Sequence, residues 1–143
     1  MPAFSRTVTV NSPLDEAFAY LSDFTNTEEW DAGTVSTTRV SGDGGVGTTY
    51  RNISKFLGRE VEVTYVVERV VPGEVFALRG ENSSMVAHDT MTFREVPRGT
   101  EVTYAATFDF KGVAKLVSPL TKPVFNKLFD DGAKGIREAL DRP

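Results

Sequence analysis

The sequence predicts an α+β fold: a seven-stranded curved antiparallel sheet, two short helices after the first strand, and a long C-terminal helix packed across the sheet. Three observations predict it. Apolar and polar residues alternate with period two for about eighty residues from Val35 onward. Turn residues interrupt that run at short intervals, which favours hairpins over the helical crossovers that parallel strands need. Helical spacing then returns from Gly112 to the C-terminus.

Phe4 to Val10 alternates and is rich in Thr and Val, as a half-buried strand requires. Asn11, Ser12 and Pro13 mark a helix start, with Ser12 as cap, Pro13 at the first helical position and Asp15 and Glu16 in the first turn. Leu14, Ala17, Phe18 and Leu21 keep helical spacing, and this helix ends near Ser22. Asp23 to Trp30 reads as a second short helix capped by Thr25 or Asn26 and broken by Asp31, Ala32 and Gly33. The six strands that follow are expected at Val35 to Val40, Thr48 to Lys55, Arg59 to Val71, Val75 to Gly80, Met85 to Glu95 and Glu101 to Phe110.

Val113, Leu116 and Val117 form a first helical piece, and Val124, Leu128, Gly132, Ile136 and Leu140 form a second. Proline is tolerated only in a first turn, so Pro119 and Pro123 place the main helix at about Thr121 to Asp141, with Thr121 or Ser118 as its cap. At 1.5 Å per residue such a helix is roughly 30 Å long, enough to cross a sheet of this size.

The 143 residues suit a single ligand-binding domain over positions 1–143. Lys and Arg number 16 against 20 Asp and Glu, a net charge of -4, and the basic residues form no stripe, so nucleic acid is not an expected partner. No apolar run reaches the roughly 18 residues of a membrane span, and Met1 to Val10 carries no export signal, which makes the cytoplasm the expected location. The absence of cysteine excludes thiolate chemistry and Cys-based zinc sites, and the lone His88 excludes a multi-histidine metal site. Triads, paired-carboxylate motifs and phosphate loops are also missing, so no cofactor or metal is expected.

Certain local segments carry a further resemblance. Ser12-Pro13 through Ala17, Tyr20 and Leu21, Asp23-Phe24 with Trp30, Gly45-Val46-Gly47-Thr48, and Gly99 through Tyr104 occur in the order and at the spacing of the START/Bet v 1-like (SRPBCC) superfamily. The chain resembles in particular its bacterial polyketide cyclase/dehydrase and lipid-transport branch. The resemblance implies a helix-grip fold with an apolar small-molecule pocket between sheet and helix. It leaves activity open, because this superfamily includes carriers, cyclases, hormone binders and co-chaperones.

Alternate residues of each strand face that pocket. The inward sets are expected to be Val102, Tyr104, Ala106, Phe108 and Phe110 in the last strand, Val61, Val63, Tyr65 and Val67 in the fourth, and Met85, Ala87, Met91 and Phe93 in the sixth. In the third strand Tyr50 and Ile53 have opposite parity, which suggests a bulge or a mixed face. The candidate ligand-binding residues are Trp30, Tyr50, Tyr65, Phe76, Asp89, Met91, Phe93, Tyr104 and Phe108 from sheet and short helices, with Phe125, Leu128 and Phe129 from the long helix. Trp30 reads as a lid over the cavity or as a rivet holding the helical pair to the sheet. Gly132 and Gly135 read as space for a ligand or as close packing.

Asp89, Arg69 and Arg79 share parity with apolar neighbours, and are either an internal charge pair, an anchor for a ligand's polar end, or strand-end residues in water. His88 has the opposite parity and faces solvent. Arg51, Arg69, Asp89, Tyr65 and Tyr104 do not make a recognisable acid-base set, so no catalytic residue is assigned. Binding or carrying a small, largely apolar molecule of lipid, polyketide or isoprenoid type is the first reading. A cyclase or dehydratase using polar cavity groups is the second. An interaction or co-chaperone-like module is the third; it would show an exposed apolar patch, of which Thr7, Thr9, Glu60, Glu62, Glu68, Thr103 and Thr107 give no sign. The expected assembly is a monomer or homodimer.

Overall fold

The computed structural model describes residues 2–141, apart from the side chains at 117 and 118. β1 (Ala3–Val10) leads into α1 (Leu14–Leu21), a 3-10 turn (Phe24–Asn26) and α2 (Thr27–Trp30). Then come β2 (Thr34–Ser41), β3 (Thr49–Phe56), β4 (Arg59–Val71), β5 (Val75–Glu81), β6 (Met85–Val96), β7 (Gly99–Phe110) and α3 (Ala114–Leu140). All seven strands form one antiparallel sheet in the order β1-β7-β6-β5-β4-β3-β2. β1 therefore closes one edge against β7, and the α1–α2 segment carries the chain to the other edge, where β2 begins.

α3 grips this sheet from its concave side, against β1, β7 and α2. Arg6 of β1 donates to Asp130 Oδ1 at 2.7 Å and to Asn126 Oδ1 at 3.1 Å. At the helix C-terminus the last carbonyls lack intrahelical donors. Ser12 Oγ donates to the Leu140 carbonyl, and Asp141 accepts from the Asn11 amide at 2.9 Å. Ser12 thus finishes α3, and does not cap α1 as its position in the sequence suggests; α1 starts after Pro13 without a side-chain cap. The 3-10 turn is capped by Asp23, which accepts from the Thr25 amide, and not by Thr25 or Asn26.

α3 is one continuous helix, not two pieces, and contains both Pro119 and Pro123. Each proline removes a single amide donor from the N-terminal half of the helix. That stretch is largely solvated: Val113, Leu116 and Leu120 are 83%, 80% and 77% exposed, so water can meet the freed carbonyls. Thr121 lies inside the helix and is not a cap; the proposed cap side chain of Ser118 and the side chain of Val117 lie outside the described residues. These exposed apolar residues, with Leu57, lie away from the strand positions that give no sign of an apolar patch.

The space under α3 divides in two. One buried cluster joins Leu21, Phe24, Trp30, Tyr50, Phe76, Met91, Phe93, Ile136 and Leu140, so α1 and the C-terminal half of α3 close solidly over one end of the sheet. A second, at the other end, gathers Phe4, Phe108, Phe125 and Phe129, with Phe108 and Phe125 stacked at 4.5 Å. Trp30 joins the first cluster to the helix: its ring meets Tyr104 edge-on at 5.4 Å, and its backbone lies against Gly135. A Cβ at Gly135 would stand 1.9 Å from the Trp30 carbonyl oxygen, whereas one at Gly132 would stand 3.6 Å from the indole. Both glycines serve packing, against α2 and not against the sheet, and Trp30 is a rivet.

Alanine normally strengthens a helix over glycine by about 1 kcal/mol. Gly132→Ala should follow that rule, whereas Gly135→Ala should lower unfolding stability by about 2 kcal/mol or more, because backbone must shift. Denaturant titration of the two variants checks this contrast.

Candidate functional site

Between the first two thirds of α3 and strands β3, β4, β6 and β7 the structure holds a cavity of about 510 Å³. Its walls are Val61, Val63, Met85, Phe108, Phe110, Phe125, Leu128 and Phe129. Lys55, Leu57, Arg59, Asn82 and Ser84 also line it, from the β3–β4 and β5–β6 hairpin ends, and Ala114 lines it at the start of α3. Leu57 is 67% exposed and holds a left-handed backbone with φ 54°, a conformation costly for a leucine. A shallower depression beside Pro13 and residues 95–99 lies open on the surface.

The cavity's carboxyls and phenols come from four segments. Tyr65 of β4, Asp89 of β6 and Tyr104 of β7 are joined by Asp31, just after α2. Gly80 makes room for Tyr65, since a Cβ there would meet the ring at 2.6 Å. Asp31 is held in place by the Gly33 amide at 3.3 Å and Thr34 Oγ1 at 3.0 Å. Asn52 and Ser54 of β3 also line the cavity and are bonded to each other, Ser54 Oγ donating to Asn52 Oδ1 at 2.6 Å. Asn52 Nδ2 in turn donates to Thr37 Oγ1 at 2.9 Å.

Asp89 differs from these. It is 5% exposed, and among the described residues no hydrogen bond reaches its carboxyl. Burial raises its pKa to about 7, and the nearby charge of Asp31 adds to the shift. Burial also raises Asp31, against the lowering effect of its two hydrogen bonds. The phenols of Tyr65 and Tyr104 are pushed well above their ordinary range, first by burial and then by the two carboxyls.

Of the twelve residues picked from sequence, Tyr65, Asp89, Tyr104, Phe108, Phe125, Leu128 and Phe129 line the cavity. Trp30, Tyr50, Phe76, Met91 and Phe93 do not; they belong to the solid core under α1 and the end of α3. Parity assigns a face of the sheet but not a position along it. Tyr50, Met91 and Phe93 lie on the inward face beyond the cavity's end.

The arginines are corrected too. A register shift between Val67 and Arg69 turns Arg69 out to solvent. On β5 the buried residues are Phe76 and Leu78, so Arg79 points outward and pairs with Glu81 at 2.8 Å. Arg51 is likewise exterior, paired with Glu62 at 2.7 Å. Among the described residues Asp89 therefore has no internal cation. The irregularity expected in β3 falls in its pairing with β2, while its pairing with β4 is regular and its inward face is Tyr50, Asn52 and Ser54. His88 is outside, 3.8 Å from Glu68. Asp31 was readable only as a helix breaker; nothing in the local sequence signals that the end of α2 points into the cavity.

A sheet wrapped round one long helix, with a cavity between them, is the START/Bet v 1-like helix-grip fold. The chain belongs to the family described as polyketide cyclase / dehydrase and lipid transport, whose model matches residues 1–141. The Zhui aromatase/cyclase of Streptomyces sp. R1128 superposes with a TM-score of 0.84 at 13% identity, covering 97% of this chain and 93% of that one. A protein of Thermus thermophilus reaches 0.83 at 15% identity over 97% of both chains. A START superfamily protein of Mycobacterium smegmatis reaches 0.79 at 12% identity over 96% of both. No curated protein matches by sequence.

The stability effect of Asp89 has a definite sign. Its folded pKa lies above the unfolded value of about 3.9, so the folded state holds a proton that the unfolded state releases, and stability falls as pH rises from about 4 to 7. Asp89→Asn should therefore be more stable than the parent above about pH 7, on the order of 4 kcal/mol at most, with the difference vanishing near pH 4. Parallel denaturant unfolding of both proteins across that range measures it.

Proposed function

We propose that this protein binds and carries a small, largely apolar molecule in the cavity between sheet and α3. The observation that carries the reading is the roughly 510 Å³ apolar-walled space beneath α3. It falls in the size range of small-molecule sites, and its few polar groups are gathered together. Burial in it would return about 25 cal/mol for each Å² of apolar ligand surface removed from water.

A second reading, a cyclase or dehydratase, gains one observation. Asp89, which titrates near neutrality, shares the cavity with Tyr65, Tyr104 and Asp31, a set suited to proton transfer on an apolar substrate. The binding reading needs only the cavity and stands first.

Native mass spectrometry of protein purified gently from its own host, followed by organic extraction, tests the binding reading. A stoichiometric apolar molecule is expected. Val61→Trp, which places an indole in the cavity, should lose that molecule while keeping the parent's circular dichroism. A parent that copurifies with nothing and takes up neither fatty acids nor polyketide mimics would refute it.

A further inference from the structure

The cavity's charge pattern deepens this reading, and rests on it. Inside are two carboxyls, Asp31 and Asp89, and two phenols, Tyr65 and Tyr104. The basic lining residues, Lys55 and Arg59, are exposed. Asp31 already accepts two hydrogen bonds. Asp89 is held on β6 opposite Leu78 of β5 and Ala106 of β7, so the residues paired directly with it offer no side-chain donor.

Among the described residues, only a few titratable groups face Asp89. They are Tyr65 from β4, Tyr104 from β7 and Asp31 from the end of α2, while α3 brings Phe125, Leu128 and Phe129. His88 and its neighbour Glu68 lie on the opposite face of the sheet. The unbonded Asp89 carboxyl is therefore an acceptor in an apolar cavity, and among the described residues no buried cation balances it. Leaving such a group buried is costly unless a partner arrives.

The chemistry of that partner is constrained. A carboxylate or phosphate would set a third negative charge against two carboxyls. A neutral hydroxyl supplies one donor but leaves the charge unbalanced. A protonated amine supplies both several donors and the missing positive charge, with the phenol oxygens as further acceptors. We propose that the ligand is an apolar molecule whose buried end is a cationic amine, paired with Asp89 and backed by Asp31.

The pH dependence follows. Amine binding needs ionised Asp89, so below its pKa of about 7 the amine must displace a proton. Affinity then rises with pH up to about 7 and stays level until the amine itself deprotonates near 10.

Three matched probes test this on the full chain by calorimetry: naphthylethylamine, naphthylethanol and naphthylacetate. At about pH 8 the amine should bind at least tenfold tighter than the alcohol, with the acetate weakest. Amine affinity should fall by up to about tenfold per pH unit below 7 while alcohol affinity does not. Asp89→Asn should cut amine affinity by about tenfold or more, remove the pH dependence and leave the alcohol unchanged. If alcohol or acetate binds the parent as tightly as the amine, or Asp89→Asn keeps the amine's affinity, the amine proposal is overturned and the cavity reading stands. If no probe binds and the copurified extract is also empty, both fall.

Discussion

The distance between α3 and the sheet is set at one end of the helix, where the Trp30 backbone meets a residue with no side chain. Gly135 lets α2 sit directly on the helix, and a Cβ there would overlap the Trp30 carbonyl. Beside that contact Ile136 and Leu140 sink into the core, Ser12 closes the last turn, and Trp30 stands edge-on to Tyr104. Because the helix is seated here, its other end spans open space instead of collapsing onto β4 and β6. The cavity exists because close packing is concentrated at the far end.

A cavity held open this way places its polar groups where water can no longer fully solvate them. Tyr65, Asp89 and Tyr104 lie where the open space gives way to solid core, and Asp31 reaches them from the short helix that also supplies Trp30. One segment therefore both positions α3 and completes the charged end of the cavity. Asp89 is a largely buried carboxyl with no charge partner among the described residues, and a perturbed group of that kind in a cleft is a functional-site candidate. Local strain at Leu57 also falls on the cavity lining.

The sheet was legible in the sequence because period-two alternation and hairpin turns are local properties, and the strand limits agree to within a residue or two. The long helix is legible as well, except that by sequence alone Pro119 and Pro123 divide it. A helix can carry prolines where its freed carbonyls meet water, and that exposure is a tertiary fact. The site was half legible. Parity found the concave face but could not separate Tyr65 and Asp89, in the open part, from Tyr50 and Met91, in the filled part. Nor could it follow the slip at Arg69, where a single extra residue reverses which side chains face in. Asp31 was out of reach because its role depends on where α2 docks, a contact between residues about a hundred positions apart.

Seen mechanically, α3 is a beam clamped from Gly135 to Phe125, by Arg6 on Asp130 and Asn126 and by Phe125 on Phe108, with about 16 Å of its length running on to Ala114. That outer stretch lacks two of the rungs that stiffen a helix, at the amides that Pro119 and Pro123 do not possess. A small angular give near the clamp is magnified along the beam, so widening is greatest at the tip and least beside Asp89. Guests differing in girth would be accommodated at the outer end, while the seat for a ligand's head keeps its dimensions.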